Sequence, residues 1–315
     1  MNSAPSSSPQ VPPFVLQPIL VERIWGTQDL APWSSAAVAG GPVGEIWLTA
    51  ESCKVQTGPA AGRTLAELTK ANSTAMGDPR GEGFPLLIKL LFPREKLSVQ
   101  VHPGDREAQA LGMPRGKTEC WYVLSAEPGA EVAVGLREPL TQAEVKAAIT
   151  DGSLESKLQM IPVKAGDMVF VDAGTIHAIG PGMVVLETQQ YSDTTYRLWD
   201  YGRPRELHVE AGTAVTRAIT KAGLVEPRQM DGFTRLVDCE YFAVDRFALQ
   251  PGSDAVPGAV EKLQILIALT EGCTAKTNSE ILALPRGHAV ILPAGSGPVR
   301  LQAESAAEVI RVLQP

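Results

Sequence analysis

Two twelve-residue stretches of this chain share one pattern at one spacing. The first is Val163-Lys164-Ala165-Gly166-Asp167-Met168-Val169-Phe170-Val171-Asp172-Ala173-Gly174. The second is Leu284-Pro285-Arg286-Gly287-His288-Ala289-Val290-Ile291-Leu292-Pro293-Ala294-Gly295. In each, a glycine turn enters an apolar strand that ends at Ala-Gly. A repeated turn–strand–turn unit predicts two related β-barrels. The copies diverge just beyond the repeat. The first continues to Thr175-Ile176-His177 and the second to Ser296-Gly297-Pro298. An imidazole just past the first copy and none just past the second predicts a metal-bearing first barrel and a second barrel without metal ligands.

The residues around His102 carry the matching half of that prediction. In Leu97-Ser98-Val99-Gln100-Val101-His102-Pro103 the side chains alternate. Ser98, Gln100 and His102 fall on one face of a strand, and Val99 and Val101 on the other. Pro103 has no N–H to continue a ladder, so the strand stops there. A half-buried edge strand would show the same alternation. The next strand, residues 116–124, places Lys117 and Glu119 on one face. His102, Glu119 and His177 can supply two imidazoles and a carboxylate to one ion, a set that suits Zn²⁺, Fe²⁺ or Mn²⁺. The chain has 4 histidines, and two sit at these places. His208 and His288 lack strand partners of ligand type and are expected in surface or core roles. Lys89 interrupts an apolar run, residues 84–91. It either snorkels at an edge or points into a cavity. Trp25 and Trp47 are expected as core plugs.

Composition narrows the class. With 315 residues, 44% of them hydrophobic and 20% charged, the chain can bury one large core or two moderate ones. Gly 29 and Pro 25 imply many turns between short strands. A net charge of −7 argues against a nucleic-acid surface. No apolar run approaches the roughly 20 residues of a membrane span. Cys53, Cys120, Cys239 and Cys273 form neither C-x-x-C nor zinc-knuckle spacings, which points to a reducing, cytoplasmic setting without disulfides. Residues 1–13 have no basic start and no apolar centre, and are expected as a disordered tail rather than a signal peptide.

Short helices are expected over residues 64–71, 105–111, 141–158 and 209–222. Thr64 with Glu67, and Thr141 with Glu144, form capping-box patterns. Strands are expected over 14–21, 44–48, 84–91, 118–124, 131–135, 159–163, 167–172 and 183–190. From residue 233 on they are expected over 233–237, 240–249, 263–270, 289–292 and 306–313. The first strands, 14–48, are expected to pair with the C-terminal barrel. Residues 191–203 are dense in polar and aromatic side chains, unlike a linker.

The glycine turn ahead of His177, G-x-x-x-x-V-x-A-G, resembles that of cupins, small antiparallel jelly-roll barrels. Six segments resemble those of the type I mannose-6-phosphate isomerases, most closely the short bacterial form. They are residues 84–89 (FPLLIK), 97–103 (LSVQVHP), 116–122 (GKTECWY), 174–180 (GTIHAIG), 186–190 (LETQQ) and 193–203 (DTTYRLWDYGR). The resemblance covers residues 14–215, in order and with compatible spacing. It implies a mainly β fold of two cupin barrels with short helical insertions. The expected domains are a tail over 1–13, a catalytic barrel over 14–220 and a metal-free cupin-like barrel over 221–315. It implies one Zn²⁺ per chain, with ligands at Gln100, His102, Glu119 and His177. Gln100, a neutral amide, can instead stand behind the ligands. It also implies catalytic roles for Arg197, Lys117 and Glu187, and substrate contacts for Lys89 and Ser98. RIWGT, residues 23–27, departs from the family's Trp-Gly-Gly, because Thr27 replaces the second glycine. The implied partner is a small sugar phosphate, with neither nucleic acid nor membrane. The chain is expected as a cytoplasmic monomer or homodimer.

The chemistry of such an isomerase agrees with these residue types. Moving a proton between C1 and C2 through an enediol needs a Lewis acid, a base near the C2 proton and a cation for the enediolate. Arg197 suits enediolate or phosphate stabilisation. Lys89, Lys117 and Arg203 can concentrate a phosphate dianion. Glu187, Lys117 and a metal-bound water all stand as the base. Two other readings remain open, an iron cupin oxygenase on the same His/Glu/His set and a non-catalytic sugar-phosphate binding cupin.

Overall fold

Glycines in the left-handed region open and close both copies of the repeat. Gly166 (φ 90) and Gly174 (φ 89) bracket the strand Met168–Val171, and Gly287 (φ 68) and Gly295 (φ 86) bracket Ala289–Leu292. A residue without Cβ holds such dihedrals at little cost. These strands come from a computed structural model that describes residues 11–315 apart from 37, 39, 253 and 279. Most of the tail expected over 1–13 lies outside the described residues.

Each copy lies in its own compact unit, and the units are not contiguous in sequence. One comprises residues 19–47 and 86–227. The other comprises residues up to 18, 48–85 and 228–315. These bounds differ from the expected cut between 220 and 221. Strand pairing explains the difference. Phe14–Val15 pairs with Ala289–Leu292, Phe14 opposite Ile291. Ile19–Thr27 and Val43–Trp47 instead extend the sheet that holds Leu86–Leu91, with Trp47 opposite Lys89. So only the start of the 14–48 region joins the C-terminal strands.

The unit that holds His102 and His177 is built of two antiparallel sheets. The seven-stranded sheet runs in the order Gly223–Leu224, Met168–Val171, Glu119–Ala126, Met183–Gln190, Leu86–Leu91, Val43–Trp47, Ile19–Thr27. The five-stranded sheet runs Tyr196–Trp199, Val99–Val101, His177–Ile179, Glu131–Leu136, Leu158–Pro162. Trp121, Val123, Val169 and Val185 of the first meet Val132, Val134 and Ile179 of the second in one core. The outer face of the smaller sheet is apolar too. Val99, Val101, Ala178 and Leu198 pack under Val145, Ala148 and Ile149 of the helix Gln142–Thr150. Val99 and Val101 are thus taken by the helical layer, and alternation turns Ser98, Gln100 and His102 inward.

Both capping boxes form, at Thr64 and Thr141. The last helix is shorter than expected, Val209–Val215. Thr216 leaves it in an extended conformation, and the Arg217 N–H donates to Gly174 O at 2.9 Å.

The second unit repeats the plan with a seven-stranded and a four-stranded sheet. Phe247, Leu266, Val290 and Val309 of the larger meet Val260, Ala275, Val299 and Leu301 of the smaller. The correspondence extends to single rungs. In the first unit Trp47, Lys89, Glu187 and Trp121 stand opposite one another across four strands. In the second, Arg235, Asp245, Arg311 and Leu266 do the same. Glu119 faces Val171, and Gln264 faces Leu292 in the same place. His177 faces Gln100, and Pro298 faces Ala259.

Candidate active site

Sheet register assembles the ligand set. Arg197 and His177 both stand opposite Gln100, one on each neighbouring strand. Glu119 opens its strand on the larger sheet. His102 follows the Val99–Val101 strand, and its carbonyl accepts the Gly174 N–H at 2.9 Å. That bond ties the turn leading to His177 to the strand leading to His102.

The imidazoles are oriented by backbone carbonyls. His102 Nδ1 lies 2.8 Å from Thr194 O, and His177 Nδ1 lies 2.9 Å from Thr175 O. A carbonyl only accepts, so each Nδ1 carries the hydrogen and each Nε2 offers a lone pair inward. Burial, with Lys117 nearby, holds His102 well below the usual imidazole range. Burial pushes His177 down to about 4. Both rings are therefore neutral at pH 7, the form that binds metal.

Glu119 completes the set and is 0% exposed. Its Oε1 accepts from Trp121 Nε1 at 3.1 Å and lies 3.5 Å from His177 Nε2. Its Oε2 lies 3.6 Å from His102 Nε2 and accepts no hydrogen bond. Lys117 Nζ is 3.0 Å from that oxygen, but not along a hydrogen-bonding direction. The ligand atoms of His102, Glu119 and His177 all lie within 4.8 Å of one another. Tetrahedral bonds of about 2.0–2.1 Å separate neighbouring ligands by roughly 3.4 Å. The measured spacings, two inward lone pairs and an orphaned carboxylate oxygen fit a divalent ion. Gln100 stands beside them, with Nε2 3.2 Å from His177 Nε2 and Oε1 accepting from Ser98 Oγ at 3.3 Å. A half-turn of its terminal amide presents the oxygen instead.

Lys117 also reaches His102 Nε2 at 3.2 Å. Burial disfavours its charge, but Glu119 and Glu187 outweigh that and raise its pKa, so it stays an ammonium. Beside the ligand set opens a cavity of about 400 Å³, with Ser98, Gln100, Lys117, Lys89, Glu187 and Arg197 in its walls. Lys89 lies 3.4 Å from Glu187 Oε2 and 3.8 Å from Asp193 Oδ1. The cavity reading of Lys89 is the one the fold adopts. Burial, then Glu119, raises the Glu187 pKa.

Arg197 Nη1 donates to Glu206 O at 2.9 Å, and its Nε is buried without a partner. Its backbone is held by His208. The Arg197 N–H donates to His208 Nδ1 at 3.1 Å, and the His208 N–H donates to Arg197 O at 2.7 Å. His208 thus has a supporting role that no motif signals.

Arg203 departs from expectation, because it does not line the cavity. It bonds Asp200 Oδ1 from Nε at 3.0 Å and from Nη2 at 2.7 Å, and Lys96 O at 2.8 Å. Arg205 and Arg23 line the cavity, and sequence reasoning singled out neither. Arg23 is held by Glu45, from Nε at 3.2 Å and from Nη2 at 3.0 Å. Burial opposes the Glu45 charge, but Lys89 and Arg23 outweigh it and lower its pKa. Trp25 and Trp47 are more than core plugs. Trp25 lines the cavity, and Lys89 Nζ lies 5.2 Å above the Trp47 ring.

Paired antiparallel sheets with a buried His/Glu/His set, opening on a cation-rich cavity, define a cupin whose site can hold a metal. The phosphomannose isomerase type I catalytic domain matches residues 14–138. Mannose-6-phosphate isomerase ManA of Bacillus subtilis is 36% identical over 306 residues, covering 92% of this chain and 96% of its own. The mannose-6-phosphate isomerase of Streptococcus mutans is 35% identical over 295 residues, covering 89% and 92%. The crystal structure of the mannose 6-phosphate isomerase from Bacillus subtilis superposes with a TM-score of 0.86 at 31% identity, covering 96% and 99%. That of the Salmonella typhimurium enzyme, 18% identical, shares the fold with a TM-score of 0.76, covering 97% and 100%. The chain belongs to the type I mannose-6-phosphate isomerase family, whose members are metal-dependent.

Proposed function

We propose that this protein interconverts mannose 6-phosphate and fructose 6-phosphate through an enediol. One Zn²⁺ is held by His102, Glu119 and His177, with the Gln100 amide oxygen as the weak fourth ligand. The observation that carries the reading is the buried His102/Glu119/His177 set, its ligand atoms within 4.8 Å of one another, beside a cavity rich in cations. When bound, the ion supplies Lewis-acid polarisation of the sugar oxygens.

The side chains divide the remaining work. Glu187 is the base, a carboxylate in the cavity wall that faces Lys89 rather than the ligand set. It takes the C2 proton as the C1=C2 bond forms and returns it to C1 as the C2 carbonyl forms, while the hydroxyl proton on O2 passes to O1. Lys117 is committed to Glu119 and His102 and acts as a donor. Arg197, cross-strand from Gln100, offsets the charge of the enediolate. Ser98 fixes the Gln100 amide. Lys89 favours the charged form of Glu187 against burial and Glu119, and meets the substrate. The C-terminal unit carries no metal, in keeping with Pro298 and Gln264 at the places of His177 and Glu119.

The test is conversion of mannose 6-phosphate to fructose 6-phosphate before and after chelation, with zinc, iron or manganese added back. Loss on chelation and recovery with zinc is the expected result. Oxygen uptake by the iron form without isomerisation would move the protein to oxygenase chemistry. Unchanged sugar with every metal would leave a binding role.

A further inference from the structure

We propose that Arg205 anchors the substrate's phosphate and that Asp200 is the residue that positions it. The inference rests on the proposed reaction, since it names the wall that receives the phosphate.

Five cations line the cavity, and three of them are matched by their own carboxylates. Arg23 bonds Glu45 through Nε and Nη2, and its Nη1 donates to Glu22 O at 3.1 Å. Lys89 faces Glu187 and Asp193. Lys117 faces Glu119. Arg197 and Arg205 remain.

Arg205 is gripped along one edge of its guanidinium. Its Nε and Nη2 each donate to Asp200 at 2.6 Å, one to each carboxylate oxygen. Asp200 is 2% exposed, and the same carboxylate also binds Arg203. Asp200 is thus shared by two guanidinium groups, and Arg203 has a second carboxylate in Glu95, at 3.7 Å. Arg203 turns away, toward Lys96 O and Glu95. Arg205 reaches the cavity, and among the described residues its Nη1 has no hydrogen-bond partner. A bidentate grip on one edge of a planar guanidinium fixes where its remaining N–H groups point.

The turn between these residues is costly. Tyr201 has φ 55, the one non-glycine with positive φ among the described residues, and Gly202 follows with φ 80. Such strain gathers where a structure must aim a functional group. Here it brings Arg203 and Arg205 onto one buried carboxylate. Arg197, cross-strand from Gln100, has no carboxylate within 4.0 Å among the described residues. A phosphate oxygen can accept from Arg205 Nη1, the donor that no group among the described residues uses.

The test compares wild-type holoenzyme with Arg205→Ala, Arg205→Lys and Asp200→Asn. Calorimetric binding of inorganic phosphate and steady-state kinetics with mannose 6-phosphate are both measured. Arg205→Ala should weaken phosphate binding and raise KM by about 10- to 100-fold, the worth of one charge-assisted hydrogen bond. Turnover at saturation should stay near wild type. Asp200→Asn should shift both constants the same way by a smaller factor, and Arg205→Lys should recover part of the loss. Wild-type protein that binds no phosphate, or Arg205→Ala protein that binds it normally, overturns the inference. So does a fall in kcat with phosphate binding unchanged, which marks a merely structural role. Isomerisation with an unaltered KM in Arg205→Ala sinks the anchor and leaves the proposed reaction standing. Arg205-dependent phosphate binding without isomerisation does the reverse.

Discussion

Glu187 bears the heaviest chemical demand placed on one side chain here. It is 4% exposed, paired with Lys89 and cross-strand from Trp121. Glu187→Gln keeps the shape and removes the proposed base. The expected fall in kcat is about 10²- to 10⁴-fold. KM and bound metal should stay near wild type, checked by initial rates and elemental analysis. A loss of metal would place Glu187 among the groups that build the ion site. At this scale the sequence was informative wherever residue type and strand phase sufficed, as for His102, Glu119 and His177. It left Lys89 open between edge and cavity, because that depends on Glu187, a partner far along the chain. It named Arg203 rather than Arg205, because both lie on one polar stretch. Only the fold shows which of them turns toward Lys96.

Between residues and whole molecule, the strand Tyr196–Trp199 is the element on which the cavity most depends. It carries Arg197 and is backed by the helix Val209–Val215. Gly212 makes this contact close. A Cβ there would meet Leu198 Cδ2 at 2.4 Å, Tyr196 Cβ at 3.3 Å and Val101 Cγ1 at 3.4 Å. Gly212→Val should cost about 1–3 kcal/mol by overpacking, read by urea unfolding, with lowered activity as the Arg197 strand shifts. Unchanged stability would mean that the helix yields freely.

The turn after that strand has its own pH signature. Burial opposes the Asp200 charge, but Arg205 and Arg203 outweigh it and lower its pKa. The folded value therefore lies below the unfolded value of about 3.9, and the stabilisation is complete above roughly pH 5. It fades as pH falls through the folded value. Acid unfolding of Asp200→Asn should show a shallower loss below about pH 4 than wild type. Equal slopes would contradict the ionised assignment.

Elements were legible in proportion to their local signals. Both capping boxes marked helix starts. Tyr196–Trp199 and Asp254–Val260 were not read as strands. The first lies in a polar, aromatic stretch. The second contains Pro257 and Gly258, which argue against a strand interior. It is tolerated because it lies at the edge of its sheet.

Across the whole molecule, one plan serves two chemistries. The rung that holds Lys89 and Glu187 in the first unit holds Asp245 and Arg311 in the second, with the charges exchanged. There the pair is closed. Arg311 Nη2 lies 2.6 Å from Asp245 Oδ2, and its guanidinium lies 5.0 Å from the Phe247 ring and 5.2 Å from the Phe233 ring. Asp245→Ala should destabilise by about 3–5 kcal/mol, because it strands a buried cation. The double variant Asp245→Leu with Arg311→Met should recover most of that, as measured by chemical denaturation. A double variant no better than the single would make the ion pair itself the source of stability.

The sequence by itself determined the strand phase, the turn glycines of the repeat, the His/Glu/His set that could hold a metal and the family. Each of these rests on rules that act within a few residues, such as alternation, left-handed dihedrals and ligand chemistry. Tertiary structure alone decided that 14–18 and 48–85 join the C-terminal unit, and which cations line the cavity. Those outcomes depend on pairing and charge partners distant in sequence. No local pattern can encode which carboxylate a given arginine will meet.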